Sequence, residues 1–126
     1  MTLKAMYNTL AGQYATADCF GSITRSHESA IAQIKRASLG FRPHYKVLDF
    51  GVGDGAFLKK LDQQMMQANF TGIDVSDEML KRAQEALPLT AIEASATEAS
   101  HFLPHHSQDL VLAHFINAYI PIDELF

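Results

Sequence analysis

Lys46-Val47-Leu48-Asp49-Phe50-Gly51-Val52-Gly53-Asp54-Gly55 reads as a short strand running directly into a glycine-rich turn. Val47, Leu48 and Phe50 are strand formers without polar alternation, the pattern of a strand buried on both faces of a parallel sheet. Gly51, Gly53 and Gly55 let the chain turn sharply and approach a ligand without a Cβ in the way. Ala56, Phe57, Leu58, Leu61, Met65 and Met66 then recur at helical spacing, predicting a helix to about Ala68. A strand, a glycine turn and a helix start make a ligand-binding unit at the carboxyl end of a parallel strand.

Charge around the turn narrows the ligand. Asp49 ends the strand and Asp54 sits within the turn. A turn built for phosphate would set these carboxylates against their ligand, and two like charges ~4 Å apart repel by about 4 kcal/mol at an effective dielectric of ~20. They suit a ligand that carries positive groups.

Val47-Leu48-Asp49-x-Gly51-x-Gly53-x-Gly55 resembles the first motif of the class I S-adenosylmethionine-dependent methyltransferases. Thr71-Gly72-Ile73-Asp74-Val75-Ser76 resembles their second motif and Asp109-Leu110-Val111-Leu112-Ala113 their fourth, so the likeness runs from about Tyr7 to the C-terminus. It implies an α/β fold: a Rossmann-like three-layer sandwich with a parallel sheet in the order 3-2-1-4, truncated before strands 5–7. It also implies S-adenosylmethionine as cofactor, a substance with an ammonium and a sulfonium and no phosphate. Asp49 and the backbone of Gly51, Val52, Gly53 and Gly55 would hold its methionine end. Asp74, about 20 residues beyond the turn, would accept the ribose hydroxyls, as a carboxylate is an acceptor that can take both. Val75 and Met79 would lie near the nucleoside. The family's acidic contact to the adenine amino group falls near Thr97, with Glu98 as the alternative after a shift of one residue.

Composition fits one soluble domain. The 126 residues are 48% apolar and 19% charged, with a net charge of −4. This acidity argues against nucleic acid or an anionic membrane as partner. The single Cys19 excludes an internal disulfide and fits a cytoplasmic location. The first residues carry no signal-peptide core, and no apolar run approaches the ~18 residues of a membrane helix.

In chain order, Leu3 to about Thr16 is helix-compatible, with Leu3, Met6, Tyr7, Leu10, Ala11 and Tyr14 on roughly one face. The resemblance makes Tyr7 and Tyr14 candidates for a lid over the site, and plain packing is the alternative. Ala17 to Thr24 reads as a break, and a second helix starts at about Ser26, with Gly40 beyond its end. Residues 1–45 form an N-terminal helical segment and 46–126 the cofactor-binding core. A second strand covers Phe70–Val75, Ser76 caps the next helix, Pro88 ends it, and Thr90–Ala94 is a third strand. His101 and His105 would share a helix face, but Pro104 breaks that helix, and a His-rich loop without metal is expected. Asp109–Ala113 is a fourth strand, buried by its composition. His114 and Asn117 lie just beyond it, where they could meet a substrate, and no residue stands out as a catalytic base.

The family's sheet has seven strands in the order 3-2-1-4-5-7-6, and the last three have no counterpart here. The expectation is therefore a cofactor half without most of its substrate half, acting on a small-molecule methyl acceptor. The exposed fourth-strand edge would favour a homo-oligomer, by edge pairing or C-terminal segment exchange. Two rivals stand beside it: a non-catalytic cofactor-binding fragment, and an NAD-type oxidoreductase domain, since Gly51-x-Gly53-x-x-Ala56 satisfies the dinucleotide fingerprint.

Overall fold

The structure, a computed structural model, describes residues 2–11, 22–37, 43–65, 67–104 and 106–113. Four parallel strands, β1 (Lys46–Phe50), β2 (Asn69–Asp74), β3 (Thr90–Glu93) and β4 (Leu110–Leu112), form one sheet in the order β3-β2-β1-β4. β1 lies at the centre, with Leu48 opposite Thr71 of β2 and opposite Val111 of β4. The order reverses between β1 and β4. In an open α/β sheet, ligands lie beyond the carboxyl ends of the strands at that reversal.

The double burial expected for β1 is present. Val47 faces the larger core cluster with Val52, Phe57, Leu58, Leu61, Phe70, Leu80, Ala83, Leu87 and Leu112. Leu48 faces the smaller one with Ile73 and Ala94. The larger cluster is roofed by helices α3 (Ala56–Asp62) and α4 (Asp77–Ala86), with Ala30, Ile31 and Ile34 of α2 (Ser22–Ala37) packed against it. Leu103 packs against the smaller cluster, and a 3₁₀ helix, Ala96–His101, follows β3. Helix α1 (Leu3–Leu10) packs against α4 and has no buried residue of its own.

Several boundaries differ from the sequence reading. α3 ends at Asp62 rather than near Ala68. The N–H groups of Gln64 and Met65 turn back to Leu61 and Asp62, and Gln67 takes a positive φ of 50°. That turn releases the chain early enough for Asn69 to open β2, where its N–H donates to the Tyr45 carbonyl at 2.8 Å. α2 starts at Ser22, inside the expected break, and its partly buried face (Ala30, Ile31, Ile34) includes His27, whose ring lies tilted at 50° to that of Phe57 at a centroid distance of 5.2 Å. β4 is not the fully buried strand that its composition suggested. Leu112 is buried, but Val111 is 54% exposed, because the smaller cluster does not extend over it. Met66, Gly40 and His105 lie outside the described residues.

Candidate functional site

The turn after β1 is tied to the end of β2. The N–H groups of Gly51 and Val52 both donate to the Ile73 carbonyl, at 2.7 and 3.1 Å. The Gly53 N–H donates to Asp74 Oδ2 at 2.9 Å. Gly51, Gly53 and Gly55 all have positive φ, of 70°, 61° and 80°. Such a succession is open to glycine at little cost and strained for other residues. Gly55 N–H closes on the Val52 carbonyl at 3.2 Å, and Ala56 N–H is accepted by Asp54 Oδ1 at 3.1 Å. Asp54 thus caps the start of α3, and Asp74 is the carboxylate bonded to the turn.

The glycines have different surroundings. A Cβ on Gly53 would meet nothing within 4 Å. On Gly55 it would come within 2.9 Å of the Ala83 Cα, so Gly55 serves the close packing of α3 on α4 rather than an open face. Sequence reasoning missed a further one. A Cβ on Gly72 would lie 2.8 Å from the Val52 side chain, so Gly72 makes room for the turn to fold over β2.

Asp49 is 2% exposed, and its Oδ1 has no hydrogen-bond partner. Burial first, then the neighbouring Asp74, pushes its carboxyl well above the ordinary carboxylate range. A lone buried acceptor is costly unless something completes it. Asp74 is also buried, and burial raises its pKa, although N–H groups of Ser76, Gly53 and Val75 act in the opposite direction. Its Oδ1 accepts from Ser76 N–H at 2.9 Å. One oxygen therefore holds the turn and the other the start of α4, and the carboxylate, with the Val75 N–H also acting on it, keeps limited acceptor capacity for a ligand hydroxyl.

The structure brings Asp49, Gly51, Val52, Gly53, Asp74 and Val75 together at the carboxyl ends of β1 and β2. Val52 is a core residue beneath the turn. Met79 is fully buried under the α4 cap, and its N–H is accepted by Ser76 Oγ at 3.1 Å. Thr97 is exposed and its hydroxyl lies 2.8 Å from that of Ser95, which also donates to Glu98 at 2.8 Å. Tyr7 is partly buried on α1. Tyr14, His114 and Asn117 lie outside the described residues. Among the described residues no group of three or more His, Cys, Asp or Glu side chains could hold a metal ion.

The donor pattern discriminates between ligands. A dinucleotide site offers turn N–H groups to a pyrophosphate. Here the N–H groups of Gly51, Val52, Gly53, Gly55 and Ala56 are all satisfied within the protein. What the site presents is an unpartnered buried carboxyl group, a second carboxylate and an open glycine surface. That set fits a cationic, hydroxyl-bearing ligand.

The family model described as "Methyltransferase domain" matches residues 47–125. This chain belongs to that family. It is 33% identical over 99 residues to a trans-aconitate 2-methyltransferase of Afipia carboxidovorans, covering 78% of this chain and 36% of that protein. A protein of the same name from Rhodopseudomonas palustris is 35% identical over 77 residues, 60% of this chain and 29% of its own length. The chain thus spans about a third of the length of these relatives. Among solved structures, the DhpI–SAM–HEP complex superposes with a TM-score of 0.67 at 21% identity, covering 96% of this chain and 53% of that one. Magnesium protoporphyrin IX methyltransferase (ChlM) from Synechocystis PCC 6803, with bound SAM, gives 0.60 at 22% identity, over 80% and 48% of the two chains. These structural likenesses establish the Rossmann-like methyltransferase fold with its 3-2-1-4 sheet.

Proposed function

We propose that this chain binds S-adenosylmethionine across the carboxyl ends of β1 and β2 and provides the cofactor half of an enzyme that methylates a small molecule. The observation that carries the reading is Asp49, a buried carboxyl group at the centre of the sheet with an unpartnered oxygen. The ligand's ammonium would complete it. Burial raises the Asp49 pKa, and that cation would favour its ionised form, so binding would favour release of its proton. Asp74 would take the ribose diol on its free lone pairs, and the open surface at Gly53 would let the ligand lie close to the backbone. Val75, Met79 and Thr97 remain the candidates for the nucleoside side, and Tyr14, His114 and Asn117 for the substrate side. When bound, the cofactor supplies an electrophilic methyl group on sulfur. The protein's own contribution would be positioning, which alone can lower a barrier by about 7–11 kcal/mol.

A small-molecule acceptor is supported by the net charge of −4 and by the name of the relatives, trans-aconitate 2-methyltransferase. A cytoplasmic site of action fits the lone cysteine. Among the described residues no helix is long and apolar enough to cross a membrane. The division into an N-terminal cap, residues 1–45, and a core, 46–126, follows the same reading.

Calorimetric titration with S-adenosylhomocysteine, in buffers of different ionisation enthalpy and with NAD in parallel, tests the proposal. Binding of the homocysteine compound with proton release is expected, and NAD should give no heat. NAD binding alone would overturn it. Turnover with trans-aconitate and related acids would then separate an enzyme from a binding module.

A further inference from the structure

Helix α1 contributes no buried side chain, yet Asn8 fastens it to Ser76. Asn8 Oδ1 accepts from the Ser76 hydroxyl, and Asn8 Nδ2 donates to Asp77 Oδ1 at 3.0 Å. Ser76 is fully buried. Its N–H donates to Asp74 Oδ1 at 2.9 Å, and its Oγ accepts the Met79 N–H at 3.1 Å. Asp74 in turn holds Gly53 N–H at 2.9 Å. An unbroken hydrogen-bonded path therefore runs from α1 through Ser76 and Asp74 to the glycine turn.

Ser76 has a single hydroxyl proton, and a buried hydroxyl must donate it somewhere. Asn8 takes it. With Asn8 absent, an acceptor that already bonds the same residue is the Asp74 carboxylate. A hydroxyl turned onto Asp74 would occupy a lone pair that the proposed ligand needs for its diol.

We propose that Asn8 is a positioning residue: by accepting the Ser76 hydroxyl it keeps the Asp74 carboxylate free for ribose hydroxyls, so docking of α1 sets the site's affinity for the nucleoside. This inference rests on the cofactor reading above. Asn8 touches no reacting atom, and its action is confined to the ribose end. Lys4 also ties α1 to Asp77, at 3.5 Å, and to Glu93, but without involving Ser76. It provides the control for loss of docking alone.

The test compares S-adenosylhomocysteine with its 2′,3′-dideoxy analogue by calorimetry on the intact chain, as wild type, Asn8→Ala and Lys4→Ala. One hydrogen bond to a charged group corresponds to about a tenfold change in affinity. The expected result is that Asn8→Ala weakens the ribosyl ligand about tenfold and leaves the dideoxy ligand unchanged, while Lys4→Ala preserves the wild-type ratio of the two. An equal loss for both ligands in Asn8→Ala, no loss at all, or the same change of ratio in Lys4→Ala overturns the proposal. Wild-type protein that binds neither ligand removes the cofactor reading and this inference with it, an outcome distinct from a failed ratio. A thermal melt of Asn8→Ala within a few degrees of wild type checks that the fold is kept. If that variant does not fold, Asn8→Leu, of similar volume and without the acceptor, must weaken the ribosyl ligand relative to the dideoxy one, while Ser76→Ala, which has no hydroxyl to turn onto Asp74, keeps the wild-type ratio; the opposite order overturns the proposal.

Discussion

Asp49 sits where the needs of folding and of the proposed binding role oppose each other. Its buried carboxyl is pushed well above the ordinary range, by burial first and by Asp74 second. Between the unfolded value of ~3.9 and the raised folded value, the native state holds more protons than the unfolded chain. Stability therefore falls as pH rises through that window, and the loss is complete above it. Asn at this position has no charge to bury. Asp49→Asn should melt higher than wild type at pH 8 by several degrees, equivalent to about 1–3 kcal/mol, with the gap closing as pH falls towards 4. The same substitution should weaken S-adenosylhomocysteine by roughly a hundredfold or more, since a desolvated charge pair is lost. Melting curves across pH, paired with calorimetry, check both halves. A variant that melts lower at pH 8 would show that the carboxylate is not a cost to the fold. Asp49 and Asp74 were legible in the sequence because one lies in a strand that runs into the glycine turn and the other ends a strand beside a cap. Asn8 was not, because its partners Ser76 and Asp77 come from a distant part of the chain.

At the level of the strand–turn–helix element, the glycines divide between packing and open space. Gly55→Ala places a methyl group 2.9 Å from the backbone of Ala83 at a φ of 80°. Left-handed strain of about 1–2 kcal/mol adds to an overpacking cost of about 1–3 kcal/mol. That is a large share of a stability of roughly 5–15 kcal/mol. Gly53→Ala carries only the strain, because nothing lies within 4 Å of the new Cβ. Gly55→Ala should therefore lower the melting temperature by 10 °C or more, and Gly53→Ala by about half of that or less. Gly53→Ala should nonetheless weaken ligand binding more than its loss of stability accounts for. Thermal melts and titrations of the two variants check the contrast, and equal effects on stability would contradict it. The three glycines were legible as one group, since spacing marks a turn but not what faces each Cα. Gly72 was passed over for the same reason: its partner is Val52, which meets it only once β2 lies beside the turn. Helix starts and ends failed where local signals competed with packing. Ser26 is a good cap by type, yet α2 begins earlier, and α3 stops when the chain must turn back to supply β2.

Across the whole molecule the sheet is covered unevenly. Three helices cover the face that holds Val47 and Phe70, while on the other face Ile73 and Leu48 are joined by few partners. Asymmetry becomes acute at β4. It pairs with β1 through Val47–Leu110, Leu48–Val111 and Asp49–Leu112, and among the described residues no strand pairs with its outer side. Val111, 54% exposed, presents an apolar side chain next to that open row of backbone donors and acceptors. Such an edge is a template for another strand. The 126-residue chain should accordingly associate with itself as its concentration rises, and light scattering over a tenfold range should show a growing mean mass. Val111→Lys should hold the chain closer to the monomer, because a charged side chain on an edge strand opposes pairing without removing anything from the larger core cluster. Its melting temperature at low concentration should stay within a few degrees of wild type, a surface substitution being worth about half a kcal/mol. A clean monomer of the parent chain at every concentration would sink the prediction, and association that Val111→Lys leaves untouched would move the contact away from β4.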